Sequence, residues 1–239
     1  LHLHSNAELE NVFISNNVSE ESNGGGMFIK LGSNPILRNV AIIGNSADSG
    51  GGIASVTNSN PIMSNVTIVG NTAESSSGGI SIGDSSAPVL TNTVLWNNFP
   101  REISFSPWND PSSIEINYCD VQGGQDSIST YDNATVNWGD GNIDVDPRFI
   151  DEENDNYHLL ASSQCINAGH PDSTDSDGTR ADIGPYPYLN TYSGPIWYIS
   201  ATAGNDTTAT GASTAPFKSI QSAINFATTA GDSVTVSAG

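Results

Sequence analysis

Seven aspartates grouped near two glycines are the residues whose types and spacing best suit a specific chemistry. The groups are Asp172, Asp175, Asp177 and Asp182 near Gly178, and Asp140, Asp144 and Asp146 near Gly141. Carboxylate oxygens on glycine-containing loops are hard ligands that suit Ca²⁺, so the pattern predicts calcium and no other cofactor. Neither group has the ligand spacing of an EF-hand loop. Asx turns, in which the side chain accepts from nearby backbone N–H groups, would explain the same pattern.

The two cysteines, Cys119 and Cys165, are the second candidate for chemistry. In an oxidising compartment a disulfide between them is one expectation. The alternative is that Cys119 is a small buried apolar side chain, because it occupies a position that earlier repeats fill with Val or Thr.

The chain that must position these residues is strongly acidic. It has 26 Asp and Glu against 6 Lys and Arg, a formal net charge of −20. Such a charge repels phosphate backbones and anionic membrane surfaces, so we expect no nucleic-acid partner. No apolar run approaches the length of a membrane span. The abundance of Asn, Ser, Thr and Gly with little Lys is typical of secreted β-rich proteins and predicts a secreted or cell-surface location.

An internal repeat organises the first half of the chain. The segment that begins at Asn11 returns at Asn39, Asn65 and Asn92, and in degraded form at Tyr118, with spacings of 28, 26, 27 and 26 residues. Each copy holds three short strand-like runs separated by turn residues, as one coil of a three-sided parallel β-helix requires. The sequence therefore predicts an all-β, right-handed parallel β-helix with coils of about 26–28 residues and one short capping α-helix near the C-terminus.

Equivalent positions in successive coils should stack about 4.8 Å apart and form columns of inward side chains. The predicted columns are Leu9, Leu37, Met63 and Leu90; Val12, Val40, Val66, Thr93 and Cys119; Ile14, Ile42, Ile68, Leu95 and Val121; and Met27, Ile53 and Ile80. The asparagine that opens each repeat is expected at a turn, because Asn tolerates the left-handed conformation. The glycine run after each repeat is expected at a tight corner.

Several motifs from Asn11 to about Tyr188 resemble those of secreted right-handed β-helix repeat proteins. They are the Asn-Pro-x-Leu-x-Asn-Val-x-Ile coil, Asp-Val-Gln-Gly-Gly at 120–124, the run at 141–149 and the block from Cys165 to Gly184. The resemblance is to the pectate-lyase-like superfamily, with the best match to a subgroup that has choice-of-anchor-type ends. It implies that the block closes the C-terminal end of a β-helix. We expect coils at 1–130, the closing block at 131–190, and a linker with a cap-like segment at 191–239.

The cap-like segment, from Trp197 onward, resembles the opposite end of the same family, where a strand, a capping helix and the first coil strand begin a β-helix. Its own pattern agrees, since Pro216 suits the first turn of a helix, Gly231 would end it, and alternating valines predict a strand after it. The predicted apolar face of the helix consists of Phe217, Ile220, Ile224 and Ala227.

This order of parts predicts assembly. The end of one β-helix precedes the start of another, and Leu1 is expected in a coil with nothing beneath it. We therefore expect segment 197–239 to cap the Leu1 end of the next copy, in a head-to-tail contact that generates filaments. The residues expected at the contact are Leu1, Leu3, Leu9, Trp197, Phe217, Ile220, Ile224, Val234 and Val236.

Two other functions stay open. The chain would be an excerpt of a multi-domain cell-surface adhesin if both ends meet flanking domains of one polypeptide. It would be a carbohydrate-binding or polysaccharide-degrading β-helix if glycans bind it, with Trp96, Trp108 and Trp138 as candidate stacking residues. A lyase would need a base beside carboxylates, and no acidic cluster accompanies Lys30 or Arg38. The sequence singles out no catalytic residue, which favours a protein that is not an enzyme and leaves catalysis open.

Overall fold

The computed structural model describes residues 1–107 and 111–237, without the side chain at position 21. Trp108 and residues 238–239 lie outside the described residues. The chain forms two compact units: the solenoid unit, residues 1–145 with 183–185, and the C-terminal unit, residues 146–182 with 186 onward. The predicted closing block is thus divided between the two units. No helix in the described residues is long and apolar enough to cross a membrane.

The solenoid unit consists of short strands whose partners lie one coil away and run parallel to them. They stack as three sheets, of five, three and nine strands. The strands are β1 His2–Leu3, β2 Glu8–Glu10, β3 Phe13–Ser15, β4 Val18–Asn23, β5 Met27–Ile29, β6 Ile36–Ile43, β7 Ser46–Ser49, β8 Ile53–Ser55, β9 Ile62–Val69, β10 Thr72–Ala73, β11 Ile80–Ile82, β12 Val89–Thr91, β13 Val94–Trp96, β14 Ile103–Phe105, β15 Ser112–Asn117, β16 Asp120–Val121 and β17 Ala134–Trp138. This confirms the predicted β-helix, which continues beyond residue 130 because β17 pairs with β15.

Strand register confirms three of the predicted inward columns and, in the Val12 column, the stacking of Val40 on Val66. Leu37 lies between Leu9 and Met63, and Leu90 follows Met63. The Ile14 and Met27 columns stack in the same way. Beyond the first coil the column residues are fully buried, and each buried aliphatic side chain stabilises the fold by about 1.5–3 kcal/mol. Ile103 and Ile116 extend two of these columns by one coil.

The asparagine that opens each repeat is the bend between two walls. Asn11, Asn39, Asn65 and Asn92 all have positive φ, between 51° and 55°. Side chains of a strand normally alternate between its two faces. The bend at Asn39 interrupts this alternation in β6, so that Leu37 and Val40 both point inward although they are three positions apart. The bends also stack, with Asn39 Nδ2 donating to Asn11 Oδ1 at 3.3 Å. The predicted turn is confirmed.

The glycine run after each repeat is a corner where backbones approach closely. Gly50 has a φ of +64°, and a Cβ on Gly51 would lie 2.1 Å from the carbonyl oxygen of Thr72 in the next coil. Only glycine fits such a position, which confirms the predicted tight corner.

The C-terminal unit combines a hairpin with a strand–helix–strand cap. Strands β18 Phe149–Asp151 and β19 Asn156–Leu159 pair antiparallel. Strands β20 Ile196–Ile199 and β21 Ser233–Val236 pair parallel, with helix α1 Ile220–Phe226 between them in the chain. Two 3₁₀ turns, Gln125–Ser127 in the solenoid unit and Glu152–Asn154 here, complete the elements. The rings of Trp197, Phe217 and Phe226 stack on one another with centroids 5.2–6.3 Å apart and form the core of the cap.

The single short α-helix is confirmed, but its predicted start and apolar face are wrong. The backbone of Phe217 bonds to Tyr198 and Ser200 of the neighbouring segment, so the residue extends a sheet and cannot open a helix. Helix α1 begins after Ser219, whose hydroxyl accepts from Ser222 N. Its buried face consists of Ser222, Ala223 and Phe226, whereas Ile220 and Ile224 are exposed.

Candidate assembly surfaces

The first coil of the solenoid unit, β1 to β4, is incompletely covered. Each of these four strands pairs with a neighbouring coil on one side only. Leu9, Val12 and Ile14 are half-buried, although the residues stacked on them in the next coil are fully buried. Leu1 is 53% exposed and Leu3 is buried. The described chain therefore presents strand edges together with apolar residues that point inward and are only partly covered.

The C-terminal unit carries a second set of exposed apolar residues, which we name the cap surface. It consists of Ile196, Ile220, Ile224, Val234 and Val236, with exposures of 38–59%.

The register of β20 and β21 explains why the two valines of the cap surface are unusual. Val234 pairs with Trp197 and Val236 pairs with Ile199, and paired residues of a parallel ladder point to the same side of the sheet. Trp197 and Ile199 are buried in the core of the cap. The valines therefore extend the inner face of the cap beyond its covered part.

The structure separates the residues predicted at the assembly contact into two groups. Leu1, Ile220, Ile224, Val234 and Val236 are exposed and Leu9 is half-buried, so all six have surface to offer. The other three, Leu3, Trp197 and Phe217, are buried within their own units. These three side chains therefore have little surface to offer to a contact.

Aspartates near Gly178 accept hydrogen bonds from backbone N–H groups. Asp182 is almost fully buried, and its two carboxylate oxygens accept from Asn167 N and Tyr188 N, both at 2.7 Å. Burial raises the pKa of Asp182 to about 7 against these two hydrogen bonds, and the nearby carboxylates of Asp175 and Asp177 raise it further.

Three more aspartates of the two groups also accept hydrogen bonds from backbone N–H groups. Asp177 accepts from Thr179 N and Asn190 N. Asp146 accepts from Arg148 N, and Asp144 accepts from Gly123 N. Among residues 1–107 and 111–237, no three His, Cys, Asp or Glu side chains converge to hold a metal ion. Two of these bonds, from Thr179 N to Asp177 and from Arg148 N to Asp146, join residues two positions apart, as in the Asx turns named as the alternative to calcium.

The two cysteines are buried thiols that lie in different units, and no disulfide joins them in the structure. Cys119 Sγ accepts from Thr93 N at 3.4 Å and donates to Asn117 O at 3.2 Å. Burial raises the pKa of the Cys119 thiol to about 12. This residue therefore sits in its column as a small buried side chain.

A buried asparagine ladder was missed at the sequence level. In each coil the Oδ1 atom of one asparagine accepts from both the backbone N and the Nδ2 of the asparagine in the preceding coil, at 2.8–3.0 Å. The ladder runs through Asn17, Asn45, Asn71 and Asn98. The signal was present, since each of these residues closes its copy of the repeat.

The ladder ends on Glu102, which no repeat position predicts. The next coil has Gly124 where an asparagine would continue the ladder. The carboxylate of Glu102 accepts from Asn98 N at 3.0 Å and from Asn98 Nδ2 instead. Burial raises the pKa of Glu102 to about 7, although the two hydrogen bonds from Asn98 lower it; the charge of Asp120 adds a further rise.

A groove of about 470 Å³ lies on the side of the solenoid unit. Hydroxyls in its wall form a network in which Ser49 bonds to Ser76 at 2.7 Å and to Ser81 at 3.0 Å. Charged and aromatic side chains complete the lining: Asp48, Asp84, Arg101, Phe105 and Tyr131. Neither Trp96 nor Trp138 lines this groove.

Comparison with known proteins agrees with this architecture. Residues 3–144, more than half of the chain, match the family model described as a right-handed β-helix region. Comparisons with curated proteins and with solved structures found no match. The chain belongs to the right-handed β-helix family.

Proposed function

We propose that this protein is a non-catalytic extracellular β-helix whose copies join head to tail, with the cap surface of one copy seated on the first coil of the next. The observation that carries the proposal is a pair of incompletely covered apolar surfaces, one on each unit. Val234 and Val236 continue the inner face of the cap without being covered, and the first coil holds half-buried Leu9, Val12 and Ile14. In the proposed contact, each surface would cover apolar side chains that the other leaves partly exposed.

Strand pairing adds to the apolar contact. Strand β21 pairs only with β20, and the strands of the first coil each have one unpaired edge among the described residues. A parallel strand added from another copy would satisfy these backbone groups. The contact joins two different surfaces, so each new copy presents the same free surface again, and the product is a filament.

Charge works against this association. Each copy carries a formal charge of −20, so copies repel one another at low ionic strength. Salt should therefore strengthen the assembly. The extracellular part of the proposal is supported by the Asn-, Ser- and Thr-rich, Lys-poor composition and by the resemblance to secreted relatives.

Sedimentation velocity tests the proposal with matched variants. Ile220→Asp with Ile224→Asp should abolish assembly, because it places two charges on the cap surface. Both side chains are exposed, so the core of the cap does not need them. Ile62→Asp is the control, since Ile62 is 45% exposed on a side wall of the solenoid unit. Large species in the native protein and the control, with a discrete 24.9 kDa species in the double variant, support the proposal.

Two outcomes contradict it. If the double variant assembles like the native protein, the cap surface is not the contact. If the native protein is a monomer at every concentration and salt level, the surfaces serve flanking domains of the same polypeptide, as in an adhesin.

A second candidate function rests on the side groove of the solenoid unit. Its serine hydroxyls, Asp84, Arg101 and half-exposed Tyr131 suit the hydroxyls and ring faces of a glycan. Affinity electrophoresis in gels that contain neutral polysaccharides tests this function. Retardation of the native protein that is lost in Tyr131→Ala supports a glycan-binding β-helix, and unchanged migration in every gel contradicts it.

A further inference from the structure

The C-terminal unit contains a cavity of about 550 Å³, outside the proposed assembly contact. Three aromatic side chains, Tyr192, Trp197 and Phe226, line it together with the carboxylates Asp177 and Asp232. Its size is within the range of cavities that hold small molecules.

An unpartnered donor lines this cavity. Trp197 is 97% buried, since only 3% of its surface is exposed. Its indole Nε1 is shielded from solvent and has no acceptor among the described residues. A buried N–H group without an acceptor is destabilising, so native proteins normally give such a group a protein, water or ligand partner.

The carboxylate of Asp232, a hydrogen-bond acceptor, lines the same cavity. Asp232 Oδ2 accepts from Thr229 N at 3.0 Å, which leaves Oδ1 to other partners. A Cβ built on Gly194 would lie 3.0 Å from Trp197 Nε1 and 3.2 Å from Asp232 Oδ1. The donor and the acceptor therefore both lie beside Gly194, where a side chain would crowd the two atoms.

The walls of the cavity select the kind of group that fits. A hydroxyl can accept from the indole N–H and donate to the carboxylate at the same time. Anions are disfavoured, because Asp232 and Asp177 are acidic, and the guanidinium of Arg180 already donates to the carbonyls of Gly169 and Ala168. Although burial opposes ionisation of Asp177, hydrogen bonds from Asn190 N and Thr179 hold its pKa below the ordinary value.

We propose that this cavity binds a small neutral polyhydroxy compound, with one hydroxyl bridging Trp197 Nε1 and Asp232 Oδ1 and the C–H face against the aromatic rings. Neither the assembly proposal nor the glycan groove of the solenoid unit is needed for this site. An ordered water is the competing occupant, because it too can accept and donate.

Ligand-observed saturation-transfer NMR on the full chain tests the site, using glycerol and D-glucose as probes. The method reads the small molecule, so filament formation does not interfere. Two variants remove one partner each: Trp197→Phe keeps an aromatic ring without the indole N–H, and Asp232→Asn keeps the shape of the side chain. The control is Asp172→Asn, which makes the same charge change at an exposed residue that does not line the cavity.

The native protein and the control should show saturable transfer with the same dissociation constant for at least one probe. Each cavity variant should weaken it about tenfold, the effect of losing one hydrogen bond. Absence of saturable transfer to either probe would mean that water alone occupies the space. Equal transfer in the native protein and both cavity variants would place the binding elsewhere. Either result overturns the proposal.

Discussion

Replacement of Glu102 by Gln should remove much of the pH dependence of the solenoid unit's stability. The carboxyl is 3% exposed and has a pKa of about 7, against an ordinary value of 4.5. The folded state therefore holds this proton more tightly than the unfolded state does. Glu102 therefore adds most to the free energy of unfolding below about pH 4.5, and this contribution is lost as the pH rises through 7. The full difference corresponds to about 3 kcal/mol.

Urea unfolding at a series of pH values between 5 and 8 measures this effect. In Glu102→Gln the carboxamide offers Asn98 one acceptor where the carboxylate offers two, which destabilises the variant by about 1–3 kcal/mol. Because Gln does not titrate, this weaker contact adds no slope of its own to the variant's free energy of unfolding as the pH changes. Glu74→Gln, at an exposed glutamate, should keep the native slope. If Glu102→Gln keeps the native pH dependence as well, the assignment of the titration to the end of the ladder is wrong.

Three further perturbations test other parts of the structure. Asn71→Ala should destabilise the solenoid unit by about 2–4 kcal/mol, because it leaves two donors of Asn45 without their acceptor; a denaturation midpoint equal to that of the native protein would mean that the ladder adds nothing. Asp182→Asn should flatten the pH dependence of the C-terminal unit between pH 5 and 7, since the pKa of Asp182 is also raised to about 7; an unchanged profile in amide hydrogen exchange of Asn167 and Tyr188 would contradict this. Cys119 should react with a thiol reagent only as fast as the solenoid unit unfolds, because it is fully buried; rapid modification of the native protein would show that its column is open.

The coils were predictable from the sequence because the same physical requirement recurs in each of them. A column needs an apolar residue at one position of every coil, and a bend needs a residue that tolerates positive φ. Leu37, Met63 and Leu90 meet the first requirement, and Asn39 and Asn65 meet the second. Repetition turns a weak local preference into a strong pattern.

The parts that were not predictable depend on contacts distant in sequence. Phe217 has the spacing of a helix residue relative to Ile220 and Ile224, but backbone bonds to Tyr198 and Ser200 place it in a sheet. Glu102 was missed for another reason: its partner Asn98 lies only four residues earlier, but the residue occurs once, so no repeated position marks it. The aspartate motifs suited calcium by composition alone, whereas their backbone partners are visible only in the folded chain.

Negative-stain electron microscopy of the native protein beside a variant that lacks residues 197–239 tests head-to-tail assembly most directly. We predict unbranched fibres one solenoid wide for the native protein, longer at higher salt, and separate short particles for the truncated protein. Fibres that persist without residues 197–239, or native protein that stays as single particles at every salt concentration, would contradict the account.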